Sequence, residues 1–124
     1  MATPILGWKL SRRDRAALLE RFAPHYPRTV ADHVTLRHGD ADDPLPGATA
    51  GEIVGEADDG RGVQAMVVRI CGTTERGDGS HFHITWSLAP GRHAKESNDV
   101  MARCGWREIS PAVPILLAPA RWQG

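Results

Sequence analysis

Neither sign of charge is in excess in this chain: fifteen Lys and Arg balance fifteen Asp and Glu. No global positive field therefore draws the protein onto duplex nucleic acid or an acidic membrane surface, and an anionic substrate has to be held locally. Cysteine is almost missing. Cys71 and Cys104 are too few and too far apart for a disulfide framework or a zinc signature, and both are expected to be buried free thiols. Long hydrophobic runs are missing as well. Residues 1–10 have neither the basic start nor the continuous apolar stretch of a secretory signal, and the apolar run at 115–118 is far too short to cross a bilayer. A soluble cytoplasmic protein that does not engage membranes is expected, and no repeat of solenoid length is found.

What is present fits one ordinary domain, residues 1–124, large enough to bury roughly two thirds of the surface of its unfolded chain. Hydrophobic residues at 41% and charged residues at 24% match soluble domains, and 13 Gly with 9 Pro fall short of a disordered composition. Ser11 is a cap candidate for an amphipathic helix over 11–22 carrying Leu18, Leu19 and Phe22 on one side and ended before Pro24. Residues 32–38 alternate as a short strand, Val34 and Leu36 opposite His33, Thr35 and Arg37. A long Asp-, Pro- and Gly-rich loop over 39–51 follows. Two strands joined by a turn come next, the second, at 66–71, apolar enough to be central. Residues 80–88 alternate strictly, with Phe82, Ile84, Trp86 and Leu88 facing a core. A second helix near 95–103 is closed by Gly105. Residues 106–117 read as a strand or two, placed at an edge by Pro111 and Pro114. The predicted fold is α+β: a compact, two-lobed, mostly antiparallel sheet with two helices.

One internal echo stands out. Asp-His-Val-Thr-Leu at 32–36 and Phe-His-Ile-Thr-Trp at 82–86 share the frame His, aliphatic, Thr, apolar. On a strand, residues two apart share a face, so each copy presents an imidazole and a hydroxyl together while the aliphatic residue anchors the other side. Two such strands side by side would surround one cleft with His33, Thr35, His83 and Thr85. That set suits hydrolysis of a phosphodiester whose leaving group is a sugar hydroxyl. One imidazole takes a proton from water, the other protonates the departing oxygen, and the threonines bind the non-bridging oxygens. No metal or cofactor is required. An unperturbed histidine pKa near 6.5 allows one ring to be neutral and the other protonated, which predicts a bell-shaped pH profile.

The paired motifs resemble those of the two-histidine phosphoesterase superfamily, and His33-Val34-Thr35-Leu36 with His83-Ile84-Thr85-Trp86 is similar to the cyclic phosphodiesterase domains of fungal and plant tRNA ligases. The likeness covers residues 26–36 and 80–98. It implies a two-histidine phosphoesterase fold and an enzyme that opens 2′,3′-cyclic phosphates of RNA ends or small nucleotides to 2′-phosphates. The catalytic set would be His33, Thr35, His83 and Thr85, with the order of acid and base open, and the protein is expected to act as a monomer.

Further candidates surround this set. Arg37 shares the His33 face and is a candidate phosphate contact or a solvated strand end. Arg92, Lys95, Ser97 and Asn98 lie where the second helix begins and would contact substrate, with helix capping the competing role for Ser97 and Asn98. His81, on the His83 face by parity, is a substrate contact or, with His83, the start of a metal site in a cupin-like small barrel. His25, His38 and His93 read as exposed loop residues, and Trp86 as core. A non-catalytic module that binds RNA ends or nucleotides is the third reading.

Overall fold

The computed structural model describes residues 3–123 and is an α+β arrangement: one curled antiparallel sheet of seven strands with two helices. The elements are β1 (Pro4–Leu10), α1 (Arg12–Arg21), β2 (Arg28–Thr29), β3 (His33–His38), β4 (Ala50–Asp58), β5 (Val63–Arg69), β6 (His83–Leu88), α2 (Ser97–Cys104) and β7 (Arg107–Gln123), with a single 3-10 turn at Ala94–Glu96 before α2. Strand order is β2-β6-β5-β4-β7-β1-β3.

Local chemistry accounts for the helices. The Ser11 hydroxyl accepts from the Asp14 amide, Asp14 sits in the first turn and Arg21 in the last, matching the ends of the helix dipole. Gly105 closes α2 at φ 68°, a conformation glycine adopts without a Cβ clash. The apolar run of β5 is buried on both faces, as expected for a strand between β6 and β4. On one side Met66 and Val68 join Trp8, Leu10, Val34, Phe82, Ile84 and Trp86, with Leu18 of α1 packed among them. On the other, Val63 and Val67 pack with Val54, Leu88 and, from α2, Val100 and Met101. Trp86 is fully buried in the first cluster, and its indole N–H donates to the Phe22 carbonyl at 2.8 Å.

Two expectations are corrected, and one strand is added. Residues 4–10, unassigned in the sequence, form β1, a strand between β7 and β3 whose place is set by its two partners. The proline-rich tail is one strand, β7, and lies inside the sheet. It pairs with β4 through residues up to Leu116 and with β1 from Leu117 onward. Each half of β7 is thus bonded on one side only, which is where residues that cannot donate are tolerated. Cys71 and Cys104 are both exposed, because Cys71 turns the chain after β5 at φ 51° and Cys104 ends α2.

Two local features aim β3. The chain leaving β2 bonds to β6 through Val30 and Ala31, whose amides donate to the Trp86 and Thr85 carbonyls at 2.9 Å, and then crosses to β1, where the Asp32 carbonyl accepts from Leu10. The crossing is made at Ala31, buried and held at φ 44°, and Arg15 of α1 donates to the carbonyls of both Ala31 and Val30. A left-handed non-glycine residue carries strain that its surroundings must sustain. Next to it, a bulge between Leu6 and Gly7 shifts the β1–β3 register at Arg37 and Thr35. A Cβ on Gly7 would stand 2.1 Å from the Val34 carbonyl oxygen, so only glycine permits this approach.

Candidate active site

The crossing at residues 30–32 lays β3 beside β6, and both His-x-Thr motifs open on one cavity of about 530 Å³. Its walls include His33, Thr35 and Arg37 from β3, His83 and Thr85 from β6, Lys95 from the 3-10 turn, Asn98 from α2, and Arg76 and Asp78 from the loop before β6. Val34 and Ile84, between the paired residues, are fully buried in the core on the opposite face.

The two imidazoles are held in the same sense by different partners. The His33 Nδ1 lies 3.0 Å from the Asp32 carboxylate, and the His83 Nδ1 lies 3.0 Å from the His81 carbonyl, an acceptor only. A proton on each Nδ1 satisfies these contacts and leaves both Nε2 atoms for chemistry. Asp32 also accepts from Lys9 at 2.8 Å and from Arg12, and these bonds outweigh partial burial to hold its carboxyl far below the usual range. The His33 ring packs against the indole of Trp122 at 4.9 Å between centroids, and the Lys9 ammonium covers the same indole at 4.6 Å. His83 has its pKa lowered, chiefly because burial disfavours the imidazolium; the positive charges of Arg76 and His33 reinforce this, and the bond to the His81 carbonyl opposes it.

The threonines are not equivalent. Thr35 is partly exposed on the cavity wall, whereas Thr85 is buried, its hydroxyl 2.9 Å from the Ser97 hydroxyl and donating weakly to the Ala94 carbonyl at 3.3 Å. Ser97 is fully buried and belongs to the first turn of α2 without capping it, so its hydroxyl positions Thr85 and does not reach the open cavity. Arg37 reaches the cavity while also donating to Asp43 at 3.1 Å.

Besides Ser97, two expected contacts are not brought to this cavity. Arg92 bonds Asp59, Glu96 and the Arg61 carbonyl and lines a separate depression. His81 precedes β6, makes an isolated bridge with Glu75, lies 2.9 Å from the Thr74 hydroxyl through Nδ1, and opens on another pocket. The parity argument fails for His81 because regular strand geometry begins only at His83. His81 and His83 therefore do not share a site, and among the described residues no group of three or more His, Cys, Asp or Glu side chains is arranged to hold a metal.

Three residues went unassigned by sequence reasoning: Asp32, Arg76 and Asp78. Asp32 was legible as the neighbour of His33. Arg76 and Asp78, in a glycine-rich loop, carried no periodic signal, and their position depends on where that loop folds. His38, expected as an exposed loop residue, is exposed but is the last residue of β3 and sits at the cavity rim.

The set can do acid–base chemistry on an anion. It has two imidazoles with free Nε2 atoms, two hydroxyls, and Arg37, Arg76 and Lys95 concentrating positive charge in a protein with none in excess. In comparisons with known proteins the chain matches no family model, no curated protein and no solved structure, so the reading of this cavity rests on its own residues.

Proposed function

We propose that this protein is a metal-independent phosphodiesterase that hydrolyses the 2′,3′-cyclic phosphate of an RNA end or small nucleotide to a 2′-phosphate. The observation that carries this reading is the convergence of two His-x-Thr motifs, 50 residues apart in sequence, on one cavity with both Nδ1 atoms anchored. The partner exchange within β7 gives further support. It divides the sheet into a β2-β6-β5-β4 part bearing one motif and a β1-β3 part bearing the other, which is compatible with this reading.

The surroundings of the rings favour one order of roles. His83, kept neutral by burial, takes a proton from water through Nε2 as the water oxygen bonds to phosphorus. The bond from phosphorus to the 3′ oxygen breaks, and His33 delivers a proton to that oxygen, leaving a 3′ hydroxyl and a 2′-phosphate. Asp32 compensates the charge on the protonated His33 ring. Thr35 and Thr85 donate to the non-bridging oxygens; Thr85 does so by releasing its long bond to the Ala94 carbonyl while Ser97 holds its oxygen in place.

The test is incubation with nucleoside 2′,3′-cyclic phosphates and a short RNA bearing one, in EDTA, followed by chromatography. A 2′-phosphate product is expected, with turnover lowered about a hundredfold or more in His33→Ala and His83→Ala variants that keep a native melting curve. An active His83→Ala enzyme would overturn the reading, as would activity that EDTA abolishes.

A further inference from the structure

Among the described residues, two buried side-chain polar atoms have no hydrogen-bond partner: the Arg76 Nε and the Asn98 Oδ1. Both belong to residues lining the His33/His83 cavity. Buried polar groups are nearly always satisfied, since an unpaired one forfeits its hydration without return, so two orphans on one cavity indicate a ligand that completes them. Arg76 is prepared for such a role. Its side chain is only 11% exposed, Asp78 accepts from its Nη2 at 2.9 Å and fixes the guanidinium, and its positive charge acts on His83. The orphans are also of opposite character: Arg76 Nε–H is a donor, and Asn98 Oδ1 is an acceptor.

We propose that Arg76 anchors a phosphoryl oxygen and that Asn98 accepts a hydrogen bond from a hydroxyl on the same ligand, so the cavity takes a phosphate carried on a hydroxyl-bearing sugar. This rests on the phosphodiesterase reading for the identity of that hydroxyl. Opening of the ring converts the 3′ oxygen, an acceptor in the cyclic phosphate, into a donor adjacent to the 2′-phosphate. Asn98 thus favours the opened product side, and Arg76 holds the phosphate in both states. A guanidinium fixed by a carboxylate offers directional donors that an ammonium cannot reproduce.

Binding separates this inference from catalysis, because it needs no turnover. Calorimetric titration of the full-length wild-type protein would use inorganic phosphate, adenosine 2′-phosphate and 3′-deoxyadenosine 2′-phosphate. All three are expected to bind and compete, with the 3′-hydroxyl worth about tenfold over the deoxy compound. Arg76→Ala should weaken all three by about tenfold or more, and Arg76→Lys by less. Asn98→Leu should leave inorganic phosphate unchanged and erase the preference for the 3′-hydroxyl. Wild-type protein that binds the hydroxyl and deoxy compounds equally would remove the Asn98 role, and Arg76→Lys with wild-type affinity for phosphate would remove the anchor. Should the binding pattern hold while no cyclic phosphate is hydrolysed, the catalytic reading falls and the anchor stands; hydrolysis with undiminished affinity in both Arg76 variants gives the reverse.

Discussion

Replacing Asp32 by Asn keeps the shape of the side chain and removes its charge. One carboxylate oxygen serves both Lys9 and His33, and the other serves Arg12. The amide can keep its single acceptor toward Lys9 and His33, because Arg12, with a side chain 61% exposed, is free to turn into solvent. The anchoring of His33 Nδ1 therefore survives, and the change is electrostatic: the ring that donates a proton in the proposed mechanism is left beside Lys9 with no compensating negative charge. A hydrogen bond to a charged group is worth about 1.5–3 kcal/mol, and about 1.4 kcal/mol is a tenfold change in rate, so kcat should fall roughly ten- to hundredfold. On stability the effect is smaller. Arg12 is exposed and Lys9 only partly buried, which reduces their share to about 1–2 kcal/mol in total. The pH dependence follows from the depressed carboxyl. As pH falls below 3.8 the unfolded chain takes up the proton first, so Asp32 stabilises the fold above that pH and progressively ceases to below it. The difference in Tm between wild type and Asp32→Asn should therefore be largest at neutral pH and shrink near pH 3. Steady-state hydrolysis of a cyclic nucleotide and melting curves at both pH values make the check, and a variant with kcat within twofold of wild type would refute the role given to Asp32.

The lowered pKa of His83 places the acidic limb of kcat/KM below 6.5, and a limb at or above that value in a pH–rate profile would contradict its assignment as base. The same shift gives a stability signature: below pH 6.5 the unfolded chain protonates at this residue before the folded one, so unfolding by denaturant should become easier between pH 7.5 and 5.5, and less so in His83→Gln. Ser97→Ala leaves the Thr85 hydroxyl without its buried partner and should cost about 1 kcal/mol of stability, read as a drop in Tm, together with a lower kcat. Gly7→Ala forces β1 and β3 apart at the bulge and should lower stability by about 1–3 kcal/mol, read as a drop in Tm, together with activity, because the displaced strand carries His33 and Thr35.

Alternation and capping were enough to read α1, β3, the β4–β5 pair, β6 and α2 in the sequence, because each buries one face or one run against whatever neighbour arrives. Four of the residues that line the candidate site were legible in the same way: the spacing of two puts His33 with Thr35 and His83 with Thr85 on one face of each strand, whichever strands they prove to be. Pairing partners are a non-local property, and β1 and β7 were not legible for that reason. Gly7 interrupts the pattern of β1, and the prolines of β7 resemble an edge until the partner exchange at Leu116 and Leu117 leaves each half open on one side. Arg37, Lys95 and Asn98 were candidates from their place in the sequence, whereas Arg76 and Asp78 lay beyond sequence reading because their side chains are aimed by tertiary contacts. The left-handed turn at Ala31 brings β3 to β6, the fold of the 72–81 loop decides that Arg76 enters the cavity and His81 leaves it, and the packing of α2 turns Ser97 to Thr85 and Asn98 to the cavity. Strand periodicity is local, so the order of residues alone sets which groups could do chemistry and which pairs share a strand face; which of them meet depends on register, crossing and loop geometry across dozens of residues, and is settled only in three dimensions.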